Sequence, residues 1–429
     1  MIPSKIISLR SVFRYYFNKV CVFGITVKMM HRSIKRIVLL LTPLVMGLPF
    51  AMDIYVPSLP QIGKFFRVGD ATMQLTLTLF MLTAGFLQLI VGPLSDRYGR
   101  KPIGLLVSSI FIVGSLLCAL SQNAVELIIF RVIQAIGACG MMVVGFAVVR
   151  DVFSGKKSAQ AYSFLNGMIS FSPMFAPFIG SYLDVHLGWR SSFFALVVIG
   201  VAALYVTLFR LPETVTRTHR STIDFSLITQ YVKIGRDKIF MVYSFVAAFG
   251  LSYLFLFCSI SPYIIIRQLH IPIIDYGFYF CFMGISFFIG SFLSGAIVGR
   301  IGVYRTVLLG LMITLTGGVI MSVWYWLSGL SIANFIWPML LIGIGGTFCM
   351  GSGNAGAMEN FAEFSGAAAA LTGAFRFVFS AVLGSLVITA HVHSTLPLAL
   401  PAVIFSVLSL IIFFRARTLL EFRDEFAQG

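Results

Sequence analysis

The sequence predicts an all-α polytopic membrane protein, with twelve transmembrane helices in two pseudo-symmetric six-helix bundles. Three observations carry this. Of the 429 residues, 59% are hydrophobic and only 11% charged, whereas soluble chains run at roughly 45–50% apolar and about 25% charged. Apolar runs of ~20 residues, long enough to cross the hydrocarbon core of a bilayer, recur along the whole chain. The charges between those runs sit almost entirely on one side of the membrane they define.

That asymmetry sets the orientation. Of 31 Lys and Arg, four fall on one side (Lys64, Arg67, Arg190, Arg267), two within spans (Arg131, Arg376), and the other 25 on the opposite side with both tails. Cationic loops mark the cytoplasmic face, so both termini are expected there. The same placement disposes of a nucleic-acid reading of the net charge of +16. The partner of this basic surface is the lipid bilayer.

Residues 1–35 form a basic cytoplasmic tail whose apolar runs are too short for a span. It suits a segment lying on anionic lipid; the rival reading places the true start at Met29 or Met30. Six spans follow within 36–210, near 36–58, 72–94, 102–121, 125–150, 160–183 and 190–210. The polar stretch 211–237 is a cytoplasmic linker. Six more spans lie within 238–414, near 238–266, 275–299, 304–327, 332–354, 366–391 and 394–414, and 415–429 is a cytoplasmic tail. Six single cysteines (Cys21, Cys118, Cys139, Cys258, Cys281, Cys349) show no pairing or metal-site spacing. His391 and His393 carry no further support for a metal or pH role, and no metal is expected.

An internal repeat supports two halves. Gly295, Arg300 and Gly302, between spans eight and nine, align with Gly92, Arg97 and Gly99, between spans two and three, at an offset of 203 residues. In the second copy Gly299 replaces Asp96. The first copy, Gly92-Pro93-Leu94-Ser95-Asp96-Arg97-Tyr98-Gly99-Arg100-Lys101-Pro102, is expected to be a tight loop. Gly92 and Gly99 would supply close approach and positive φ, and Asp96 would cap the positive end of a neighbouring helix.

This stretch resembles the signature loop of the major facilitator superfamily. Arg131-Val-Ile-Gln134-Ala-Ile-Gly137 resembles the motif of its fourth span, with Ala135 for the usual glycine. Pro173-Met-Phe-Ala-Pro177-Phe-Ile-Gly180 resembles the proline-glycine antiporter motif of its fifth span, with Ser181 where a second glycine is common. Met52-Asp53-Ile-Tyr55-Val-Pro57-Ser-Leu-Pro60, Gly188-Trp189-Arg190 and the Gly366–Gly373 stretch resemble the bicyclomycin-resistance (Bcr/CflA) type of drug/proton antiporter. The resemblance covers about 36–414. It implies the major facilitator fold, a cytoplasmic gate of Gly92, Asp96, Arg97, Gly99, Arg100, Arg150 and Asp151, and a segment at Pro173, Pro177 and Gly180 that shapes the interface between halves.

The residues themselves point the same way. Asp53 lies within the first span, where a carboxylate is costly unless paired or functional. It sits roughly 10 Å from the outer end of its span and Arg131 about 12 Å from the outer end of span four, at 1.5 Å per residue. With similar depth, and adjacent helices if the resemblance holds, Asp53 and Arg131 are the expected proton-coupling pair; a static pair that fixes packing is the competing reading. Tyr55, Gln134, Asn166 and Arg376 are expected to line a substrate cavity. Arg376, alone in its span, suggests an anion, a cluster of carbonyls or a water-filled cavity.

The chain has no phosphate-binding G-x-x-x-x-G-K-[ST] and no soluble domain to hold one. It is expected to be neither an enzyme nor cofactor-dependent, and to draw on a proton gradient. The resemblance implies a monomeric antiporter that exports small amphipathic compounds by alternating access. Export of an endogenous metabolite such as a siderophore or dipeptide, and uptake by proton symport, are the alternatives on the same fold.

Overall fold

The computed structural model of this chain describes residues 34–215, 226–388 and 394–415. The basic tail before residue 34, the tail beyond 415, and His391 and His393 lie outside them. Among the described residues every regular element is helical: α1 (Ile34–Asp53), a 3-10 turn (Val56–Ser58), α2 (Leu59–Phe66), α3 (Asp70–Tyr98), α4 (Arg100–Leu120), α5 (Ala124–Val152), α6 (Gly155–Leu187), α7 (Arg190–Tyr205), α8 (Ser226–Gly235), α9 (Lys238–Pro262), α10 (Ile273–Ser328), α11 (Ile332–Met358), α12 (Ser365–Ile388) and α13 (Leu396–Arg415), with further helical turns after α7, α9 and α11.

Ten of these segments are long and apolar enough to cross a membrane. The 56-residue α10 is two such rods joined at Gly302, where the backbone leaves helical geometry at φ +82°. With the 33-residue α6, the expected twelve rods are accounted for. Helices apolar on every side need lipid around them. Phe292, Trp326 and Leu327 are 73%, 79% and 81% exposed, and in hydrocarbon such exposure carries no penalty.

Three of the rods start on short polar caps. Asn123 accepts from the Glu126 N–H at the start of α5, Asp237 from the Phe240 N–H at the start of α9, and Ser331 and Asn334 form a reciprocal capping box before α11. The expected loop from Gly92 to Pro102 is almost wholly helix. α3 runs to Tyr98 and α4 begins at Arg100, so the reversal falls on Gly99 alone, at φ +107°. Its repeat partner Gly302 adopts the same left-handed φ with an extended ψ. The alignment read in the sequence is therefore also an alignment of backbone geometry.

The helices before α8 and those after it meet along two long seams, α3 against α12 and α6 against α10. Small residues permit the approach. A Cβ on Gly284 would meet the Met174 backbone, and one on Gly277 would lie 2.7 Å from the Phe178 Cα.

Candidate functional site

Between the two sets of helices lies a cavity of about 740 Å³, within the range of drug-sized ligand sites. α3, α5 and α6 line one side and α11 and α12 the other, with Gln230 and Tyr231 of α8 at the edge. Asp96, Arg100 and Arg150 stand on its rim, so it opens toward the end of the molecule that carries the basic loops. Asn166 and Arg376 line it, as expected. Among the described residues Arg376 makes no ion pair, and its Nε is buried without a hydrogen-bond partner. Phe146 and Tyr162 form a stacked aromatic wall, rings 5.4 Å apart. Tyr55 and Gln134 do not line it; both are fully buried against Arg131.

At the rim, Arg100 is the hub. Its side chain is 2% exposed and gathers Asp151 (Nε to Oδ2, 2.9 Å), the Ser95 hydroxyl and Asp96, while Arg150 reaches Asp96 at 3.3 Å. Four of the seven residues expected in a gate thus converge. Arg97 stands outside the network, over the ring of its neighbour Tyr98. Gly92 is an ordinary helical residue facing open space, so no close approach requires it. Only Gly99 needs to be glycine.

The expected cap is also reassigned. The carboxylate at the positive end of α4 belongs to Glu213, which accepts from the Arg100 N–H at 2.9 Å and the Lys101 N–H at 3.3 Å. Asp96 is committed to Arg100 and Arg150 instead. Thr214 donates to Asp151 at 2.7 Å, so the segment after α7 clasps the rim from outside. The sequence did carry one signal for this. α4 opens on Gly-Arg-Lys with no capping side chain and no acid in its first turn, which leaves its N–H groups to a remote acceptor. Nearby, the Tyr231 hydroxyl donates to the Leu89 carbonyl at 3.1 Å. Burial, and then the Asp96 carboxylate, push that phenol above its ordinary range, so it stays a neutral donor.

The opposite end is closed. Gln74 donates to Ser259 at 2.8 Å, Thr78 meets Ser385 at 2.9 Å, and Arg267 pairs with Asp70 at 2.5 Å, each joining a helix before α8 to one after it. Gly180 seats α6 on the break after α1, where a Cβ would overlap the Ile54 carbonyl oxygen. α6 stays helical through Pro173 and Pro177. The stretch they bracket supplies the backbone against which Gly277 and Gly284 pack.

Beneath this seal Asp53 is 2% exposed. The Ser172 hydroxyl donates to it at 2.9 Å and the Cys258 thiol at 3.8 Å. The expected pairing with Arg131 is not formed. Arg131, fully buried, donates to the Ala51 carbonyl at 2.9 Å and to Gln134, whose amide donates to Ser115 at 2.7 Å. Its guanidinium lies over the rings of Tyr55 and Phe80, at 4.4 and 4.0 Å. Depth had placed the two charges level; direction around the helix separates them. Asp53, two residues after Ala51 on α1, is turned about 200° away from it at 3.6 residues per turn.

Residues 41–385 match the family model described as Major Facilitator Superfamily. The chain is 29% identical over 376 residues to a chloramphenicol resistance protein of Pseudomonas aeruginosa, covering 87% of this chain and 88% of that one. It is 28% identical over 358 residues to a bicyclomycin resistance protein homolog of Haemophilus influenzae, covering 82% and 88%. Among solved structures it is similar to a bacterial homolog of the human lysosomal transporter Spinster, with a TM-score of 0.68 at 17% identity over 91% of this chain and 98% of that one. It is also similar to a D-xylose-proton symporter, with a TM-score of 0.65 at 16% identity, covering 87% and 96%.

Proposed function

The chain belongs to the Major Facilitator Superfamily, and from that premise we propose that it is a proton-coupled antiporter exporting small amphipathic compounds across the bacterial inner membrane. The two bundles, 36–210 and 238–414, rock about the seams α3–α12 and α6–α10, exposing the cavity to each side in turn. The basic end faces the cytoplasm, as the positive-inside rule requires, so the cavity here is open inward and the Arg267–Asp70 end is shut outward.

One observation carries the reading. A cavity open at one end is sealed at the other by bonds joining the two bundles, and a buried carboxylate without a cation sits in the seal. A carboxylate in that place costs several kcal/mol unless it serves a function. Asp53 takes up a proton when the outer end opens and releases it inward as cargo moves out. Arg131 keeps its helix in register through Ala51 and Tyr55 and acts on Asp53 through that helix. The named relatives, a chloramphenicol resistance protein and a bicyclomycin resistance protein homolog, support drug-like cargo.

The test is substrate-induced proton flux in proteoliposomes across a panel of amphipathic compounds. Asp53→Asn should retain cargo binding and lose at least tenfold in proton-linked flux. An Asp53→Asn protein that couples at the wild-type rate would overturn the assignment.

A further inference from the structure

The polar groups that line the cavity are unequally committed. Its lining holds three arginines, Arg100, Arg150 and Arg376, and one carboxylate, Asp96. Asp96 is spent at the mouth, bonded to Arg100 and to Arg150. It lies eight residues along α3 from Gln88, about 12 Å at the helical rise. Arg376 lies ten residues into α12 from Gly366, about 15 Å from the mouth, and has no acid to meet there. Gln88 packs its amide oxygen against Gly373, which is one helical turn before Arg376 and on the same face of α12. Gln88 and Arg376, the latter with no ion pair among the described residues, thus both line the cavity away from its mouth, and its wall includes the Phe146–Tyr162 stack.

Charge buried in a membrane helix is tolerated when something in the working protein meets it, and a guanidinium is built to hold a carboxylate or phosphate by two parallel hydrogen bonds. Among the described residues a cationic cargo finds no free carboxylate in this lining, and Asp53 is not part of it. We propose that this site selects amphipathic anions, with the acidic group of the cargo on Arg376 beside Gln88 and its apolar body against Phe146 and Tyr162. The assignment rests on the reading of the cavity as the transport path.

Binding and transport are measured separately on purified full-length protein, using 2-naphthoate, its primary amide and a naphthylmethylammonium salt as probes. In nanodiscs, the wild type should bind the acid at least tenfold tighter than the amide or the cation. Arg376→Gln should erase that ratio by weakening the acid alone, and Arg376→Lys, which keeps the charge, should restore part of it and report that the fold survives. A wild-type preference for amide or cation, no binding of the acid, or an unchanged acid-to-amide ratio in Arg376→Gln would each overturn the proposal. Proton release in proteoliposomes distinguishes the failures. Proton-linked transport of the amide or cation, with no selection for the acid, sinks the anion site and leaves the antiporter reading standing. Arg376-dependent binding of the acid with no proton-linked flux does the reverse.

Discussion

Gly99 and Glu213 occupy the same space, and this can be tested as a pair. A Cβ at Gly99 would fall on the Glu213 carboxyl group, 2.9 Å from its carbon. Gly99→Ala therefore costs in two ways. The backbone at φ +107°, ψ 151° lies in a region reached almost solely by glycine, a strain of about 1–3 kcal/mol for any other residue. Pushing the carboxylate off the first N–H groups of α4 adds about 1 kcal/mol, the usual worth of a cap at half exposure. Glu213→Ala loses only that cap, about 1 kcal/mol. In the double variant the cap is already gone, so the methyl group adds strain alone, and the sum falls short of additivity by about 1 kcal/mol. Unfolding of the four proteins in mixed micelles titrated with denaturing detergent measures the cycle. Additivity within about 0.5 kcal/mol, the usual scatter for independent sites, would refute the shared space and with it the assignment of Glu213 as the cap of α4.

Two further outcomes follow from the closed end. Gly180→Ala should destabilise by about 1–3 kcal/mol, because the new methyl meets the Ile54 carbonyl with nowhere to go. Gly167→Ala on the same helix, where nothing lies within 4 Å, should cost nothing and stabilise by up to about 1 kcal/mol in the same thermal-stability assay. Cys258, buried against Asp53, is a natural reporter of the seal when the other five cysteines are replaced. The Arg267–Asp70 pair is about one-third exposed and worth up to ~1 kcal/mol. Breaking it with Asp70→Asn and Arg267→Gln should raise labelling of Cys258 by an impermeant thiol reagent from the outer side by up to about fivefold. Unchanged labelling would mean that the pair does not help hold that end shut.

What the sequence made legible was periodic or local. Span positions came within a few residues because apolar length is dictated by the bilayer, and the repeat was visible because Gly99 and Gly302 both meet a backbone requirement that only glycine satisfies cheaply. The charged residues that meet at the cavity rim were legible by type, since opposite charges placed at neighbouring helix ends tend to find each other. The misplaced features depend on direction around an axis or on contacts between distant segments. Counting residues fixed the height of Asp53 and Arg131 but not their azimuth, and the break after Asp53 adds a turn that no pattern announces. Tyr55 and Gln134, expected in the cavity, are instead partners of Arg131. Glu213 lies more than a hundred residues from the helix it caps, and only the missing local cap of α4 hinted at a remote one.

The separation of Asp53 from the cavity has a consequence for how two ligands influence each other. In an exchanger with one shared site, a proton and its cargo displace each other directly, and raising one raises the apparent Michaelis constant of the other without limit. On the proposed reading the proton sits on a carboxylate outside the cavity lining and the cargo within that lining, so both can be bound at once. Each then governs the other through the position of the helices between them, chiefly α6 seated on Ile54. Protons would act on such a carrier as a mixed modifier whose effect saturates, its size set by how much the affinity for each ligand differs between the two arrangements of those helices.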